Sequence, residues 1–126
     1  MAVQTSEDVV RVRQAVRVHA VALGFSLVDQ TKIVTATSEI ARNTVIHGGG
    51  GMARVEVVRE GARRGVRLTC TDQGPGIANI QLAMTDGYTT RGGLGLGMSG
   101  AKRLSNEFSV ESEPGKGTTV TLVRWK

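Results

Sequence analysis

An α+β two-layer sandwich, in which a mixed and largely antiparallel sheet is covered on one face by helices, is the fold this chain predicts. Three observations carry that reading. Helical periodicity fills the first third of the chain, and strand alternation follows it. The strands come in hairpin pairs rather than as a βαβ repeat, so most pairings should be antiparallel. The length of 126 residues suits one core and one domain, and no internal repeat or linker divides it.

The elements follow in order. Ala2–Gln4 is a short edge strand. Thr5 or Ser6 can cap the first helix, with Glu7 and Asp8 at its positive end. Val9, Val12, Val16, Ala20 and Leu23 recur at helical spacing, and Gly24 stops the run. Asp29 can cap the second helix, which carries Ile33, Ala36, Ile40 and Thr44 and ends in Gly48–Gly51. Ala53, Val55 and Val57 alternate with charged residues and read as a strand. Glu60–Gly65 is a polar hairpin turn. Val66, Leu68 and Cys70 then alternate with Arg67, Thr69 and Thr71 in a second strand. Residues 73–97 have no clear period. Met98–Leu104 is a short helix, and Phe108–Ser112 and Thr118–Arg124 are strands joined by the turn at 113–117.

Composition excludes several classes. Glycine supplies 17 of 126 residues, about 13% and roughly twice its usual share, but without the three-residue period of collagen. Only two Pro accompany it and 40% of residues are apolar, which excludes a disordered linker. One Cys, no apolar run of about 18 residues and no signal-peptide layout point to a soluble cytoplasmic protein without a membrane role. The net charge of +5 raises the question of nucleic acid. However, Arg11, Arg13, Arg17, Arg63, Arg64, Lys102 and Arg103 are scattered and not interleaved with aromatics, so we expect no nucleic-acid partner. His19 reads as a surface or core-edge residue, His47 as a helix C-terminal cap, Cys70 as an inert buried thiol and Trp125 as a packing residue.

Four motifs carry possible chemistry. Glu39, Asn43 and His47 lie i, i+4, i+8 along one helical stripe. Such a stripe is either a solvated face or a site edge at which an Asn oxygen suits Mg²⁺ and a carboxylate suits proton abstraction. Asp72-Gln73-Gly74-Pro75-Gly76-Ile77 ends a strand. The parity of Asp72 turns it toward the core, where a carboxylate needs a donor. That donor is either a backbone N–H in an Asx turn or a ligand amino group, and Gly74 and Gly76 permit close backbone approach. Gly92-Gly93-Leu94-Gly95-Leu96-Gly97 precedes a helix and reads as a surface loop or as a phosphate cradle. No strand stands directly before it, so a Rossmann site is not expected, and the G-x-x-x-x-G-K-[ST] pattern is absent. Gly115-Lys116-Gly117-Thr118 is a tight turn whose Thr118 alone is lent to a site.

Together and in this order, the four motifs resemble those of the ATPase fold shared by gyrase, the heat-shock chaperone, histidine kinases and the mismatch-repair protein, the Bergerat-type ATP-binding fold. The segments Ser38–Asn43, Asp72–Ile77 and Gly92–Gly97 look closest to its small bacterial branch of anti-sigma-factor kinases and the serine/threonine switch kinase of the general stress pathway. Asp86-Gly87-Tyr88-Thr89-Thr90, Gly100-Ala101-Lys102-Arg103-Leu104 and the Arg42-Asn43 pair look like the switch kinase. Val45-Ile46-His47-Gly48 looks more like the anti-sigma kinases. The resemblance spans about residue 5 to 126.

It implies ATP and Mg²⁺ as cofactors. It implies Asn43 as the Mg²⁺ ligand, Glu39 as the general base and Asp72 as acceptor of the adenine amino group, with Gly74, Gly76, Ile77 and Thr118 around the base. It implies Gly93, Leu94, Gly95, Leu96 and Gly97 along the phosphates, Arg91 reaching a phosphate, and residues 79–97 as a lid. It implies STAS-domain scaffold and antagonist proteins of the stressosome as phosphorylation targets, and a PP2C-type phosphatase activated when the kinase is released. An anti-sigma factor kinase that sequesters a sigma factor, and a non-catalytic nucleotide-gated binding module, are the alternatives.

Overall fold

A computed structural model describes residues 1–74 and 97–126. Its elements are β1 (Ala2–Val3), α1 (Ser6–Ala22), α2 (Leu27–Ile46), β2 (Gly51–Glu60), β3 (Arg63–Asp72), α3 (Gly97–Arg103), β4 (Glu107–Glu113) and β5 (Gly117–Trp125). The five strands form one sheet in the order β1-β2-β3-β5-β4. All four pairings among the described residues are antiparallel, so the parallel component expected of a mixed sheet is not found there.

Local chemistry sets the helix starts. Thr5 closes a capping box with Asp8: its Oγ1 accepts from the Asp8 N–H, and the Asp8 carboxylate accepts from the Thr5 N–H. The second helix is capped by Ser26, not by Asp29; Ser26 Oγ accepts from the Asp29 N–H at 3.1 Å. Ser and Asp three residues apart are both competent caps. Asp29 is instead drawn across the fold, accepting at 2.8 Å from Arg124 of β5. That contact holds the Asp29 carboxyl below its ordinary range. Arg124 also donates to the Leu104 carbonyl just past α3, so one guanidinium joins β5 to the start of α2 and the end of α3. The β2–β3 hairpin is tighter than the polar stretch suggests. Pairing runs to Glu60↔Arg63, leaving Gly61 and Ala62 at the tip, with Gly61 at φ +60.

The core lies between helices and sheet. Val9, Val12, Val16 and Ala20 of α1 and Ile33, Ala36 and Ile40 of α2 meet Ala53, Val66, Leu68, Cys70, Val120 and Leu122 of the sheet. Met98 and Ala101 bring α3 into the same cluster. The opposite sheet face carries the bidentate Glu56–Arg67 pair and threonine rows. Trp125 packs over Gly65 there, under the Arg63 guanidinium, and donates its Nε1–H to Glu107. No helix among the described residues is long and apolar enough to cross a membrane.

Leu68 is fully buried at the centre of the sheet. Leu68→Ala should cost about 2–5 kcal/mol of stability. Urea unfolding checks this, and a loss under ~1 kcal/mol would place the core elsewhere. Burial also pushes the Cys70 thiol up to about 12. At pH 8 a thiol reagent should leave Cys70 untouched in the native protein and modify it stoichiometrically in denaturant.

Candidate active site

The C-terminal half of α2, the last residues of β3 and the first residues of β5 meet at one end of the sheet. Helical spacing puts Glu39 and Asn43 on one stripe of α2, and both are half-buried. Neighbouring positions belong to the core: Ile40 and Ala41 are fully buried, and Thr44 returns its hydroxyl to the Ile40 carbonyl. Because the stripe borders the core, its polar groups stand at the rim of the helix–sheet seam rather than on an open solvated face. Glu39 Oε1 accepts from Arg42 Nη1 at 3.2 Å. The Glu39 side chain is 16% exposed and that of Arg42 53%, so the guanidinium can leave without uncovering core. The Asn43 carbonyl accepts from His47 and Gly48 N–H, and His47 is the C-cap, as its position suggests.

Asp72 is 8% exposed, on the helix-facing side of the sheet, as its parity requires. Its Oδ1 accepts from the Gly74 N–H at 2.9 Å, the Asx turn that Asp before Gly favours. Register sets Asp72 opposite Gly51 on one side and Thr118 on the other, with Ser112 beyond Thr118. These four form a row across the sheet end. Thr118 Oγ1 lies 2.8 Å from Ser112 Oγ, and Ser112 Oγ donates to the Gly117 carbonyl. Ser112 is a member of this row that sequence reasoning missed; only the hairpin register could have pointed to it.

Glycine lets the pieces close up. A Cβ on Gly117, which has φ +86, would collide with the Asp72 carbonyl. A Cβ on Gly74 would come within 2.7 Å of Gly48 Cα. The close approach at Gly74 is therefore to the end of α2, a role its sequence context does not reveal. Gly97 is the first residue of α3. Gly76, Ile77, Arg91, Gly93, Leu94, Gly95 and Leu96, and with them the lid of residues 79–97 up to Gly97, lie outside the described residues.

The structure therefore brings Asp72, Gly74 and Thr118 against the end of α2, the helix that carries Glu39 and Asn43 on one stripe. Two hard-oxygen groups stand on α2, and a buried carboxylate stands at the strand end. Among the described residues no three His, Cys, Asp or Glu side chains gather to hold a metal. A sparse oxygen set of this kind suits Mg²⁺, which keeps waters and takes ligands from substrate phosphates instead of filling a protein cage.

Comparison with known proteins gives the family. The model of the histidine kinase-, DNA gyrase B- and HSP90-like ATPase family matches residues 28–126, and the chain belongs to that family. It is 44% identical over 123 residues to the serine/threonine-protein kinase RsbT of Bacillus subtilis (strain 168), covering 98% of this chain and 92% of that one. It is 38% identical over 104 residues to an anti-sigma F factor of Geobacillus sp. (strain WCH70), covering 77% of this chain and 70% of that one. The crystal structure of the RsbU and RsbW domains of Rv1364c from Mycobacterium tuberculosis shares the fold, with a TM-score of 0.66 and 23% identity. That match covers all of this chain and 32% of the other. Within its family, the chain is a protein serine/threonine kinase.

Proposed function

We propose that these 126 residues act as one cytoplasmic ATPase domain that phosphorylates Ser or Thr on STAS-domain scaffold and antagonist proteins in a partner switch. Once released, the kinase binds and activates a PP2C-type phosphatase. The observation that carries the catalytic part is the joining of the Glu39–Asn43 stripe to the Asp72 strand end at one seam. Similarity to a named serine/threonine kinase over nearly the whole chain supports the same reading.

In this reading Asp72 accepts a hydrogen bond from the 6-amino group of adenine, and Thr118 supplies a polar contact beside it. Gly76 and Ile77 border the base, and the backbone of Gly93–Gly97 lines the phosphates, with Arg91 beside them. Asn43 would hold Mg²⁺ through its side-chain oxygen, and the ion would neutralise phosphate charge. Glu39 leaves Arg42 and accepts the proton of the attacking hydroxyl. The hydroxyl oxygen bonds to the γ-phosphorus as the bond from that phosphorus to the β–γ bridging oxygen breaks, and ADP leaves. Phosphoryl transfer asks a protein mainly for positioning and charge neutralisation, which these groups supply.

A second reading, an anti-sigma factor kinase, is favoured by the similarity to an anti-sigma F factor. Capture by the immobilised chain in ATP or ADP separates the two. A STAS protein and a PP2C phosphatase as ligands support the switch kinase. A sigma factor as the sole ligand overturns it.

A further inference from the structure

Gly48 lies just beyond α2, and its backbone does not have the positive φ of Gly49 and Gly50. The main chain there would accept a side chain; the neighbouring Asp72 would not. A Cβ on Gly48 would stand 2.5 Å from Asp72 Cβ and 2.6 Å from Oδ2, and would overlap Cγ. Carbon atoms in contact prefer about 3.5–4.0 Å. Gly49, the next residue, has nothing within 4 Å of a would-be Cβ. Within the glycine run, Gly48 is thus the residue set against the carboxylate.

Asp72 has little room to yield. Its Cβ is fixed by β3, and its Oδ1 is held by the Gly74 N–H at 2.9 Å. Gly74 is itself pressed onto Gly48, since its own Cβ would lie 2.9 Å from the Gly48 carbonyl oxygen. On the other side, the Gly48 N–H reaches the Asn43 carbonyl at 3.3 Å. A continuous chain of contacts therefore runs from Asn43 through Gly48 to Asp72. We propose that Gly48 is a positioning residue: the Cβ it lacks sets where the Asp72 carboxylate stands, and with it the selectivity for a 6-amino purine. The proposal rests on the reading of Asp72 as the adenine acceptor. Hydrogen bonds weaken steeply off their preferred distance and angle, so a small displacement of this carboxylate is enough to lose the contact.

The test is Gly48→Ala beside Asp72→Asn in the full chain. Calorimetry measures binding of ATP and of purine riboside triphosphate, which lacks the 6-amino group. The wild type should prefer ATP. Gly48→Ala should weaken ATP by roughly 10-fold or more and the analogue by under ~3-fold, bringing the preference close to that of Asp72→Asn. A Gly48→Ala variant that keeps the wild-type preference, while Asp72→Asn loses it, overturns the role of Gly48 and leaves that of Asp72 intact. No preference in the wild type overturns both. If Gly48→Ala folds poorly, thermal melts with Asp72→Gly decide the contact. Its loss of Tm should largely vanish in the Asp72→Gly background, and an equal loss in both backgrounds overturns the proposal.

Discussion

Glu39→Ala should lower the single-turnover rate of phosphoryl transfer by roughly 10²–10⁴-fold, the usual contribution of a positioned general base. ATP affinity should change by less than ~3-fold, because in this account Glu39 meets the hydroxyl of the protein substrate and not the nucleotide. The fold should survive the change. The pair lost is an i, i+3 contact with an Arg that is 53% exposed, and such pairs are worth about 0.2–1 kcal/mol. Glu39→Gln sharpens the result, since it keeps the shape and a hydrogen bond but cannot take the proton. Transfer by Glu39→Gln at the wild-type rate would remove the base assignment. A loss of ATP binding in both variants would instead put Glu39 on the nucleotide.

Asp72→Asn is the second large effect, and it falls on binding. A hydrogen bond to a charged acceptor is worth about 1.5–3 kcal/mol, or roughly 10- to 100-fold in affinity for ATP. The Asn oxygen can still accept from the Gly74 N–H, so the Asx turn has a substitute acceptor and the strand end keeps its shape. The Asn amide also offers a donor to an adenine amino group that is itself a donor, so whichever way the amide turns, one contact is weakened. Calorimetric titration with ATP reads the change directly. Unchanged affinity would remove Asp72 from the adenine.

The fold was legible where its cause was local. Val9, Val12, Val16 and Ala20, and later Val66, Leu68 and Cys70, are set by period alone, and all seven are buried. Asp72 was legible for the same reason, since strand parity turned it inward. What escaped depends on distant partners. Ser26 and Asp29 are both competent caps; Ser26 takes the cap, and Asp29 pairs with Arg124, 95 positions away. Ser112 enters the site row only through the β4–β5 register. Gly48 reads as a helix stop until β3 brings Asp72 against it. At Gly74 the same effect adds a contact that local sequence does not show: a Cβ there would meet Gly48 at the end of α2.

The most direct test of the account incubates the chain with labelled ATP, Mg²⁺ and a STAS-domain partner and locates the transferred phosphate by mass spectrometry. Label should appear on one Ser or Thr of the partner with the wild type and be lost with Glu39→Ala. Label on a histidine, or equal transfer by Glu39→Ala, would contradict the account.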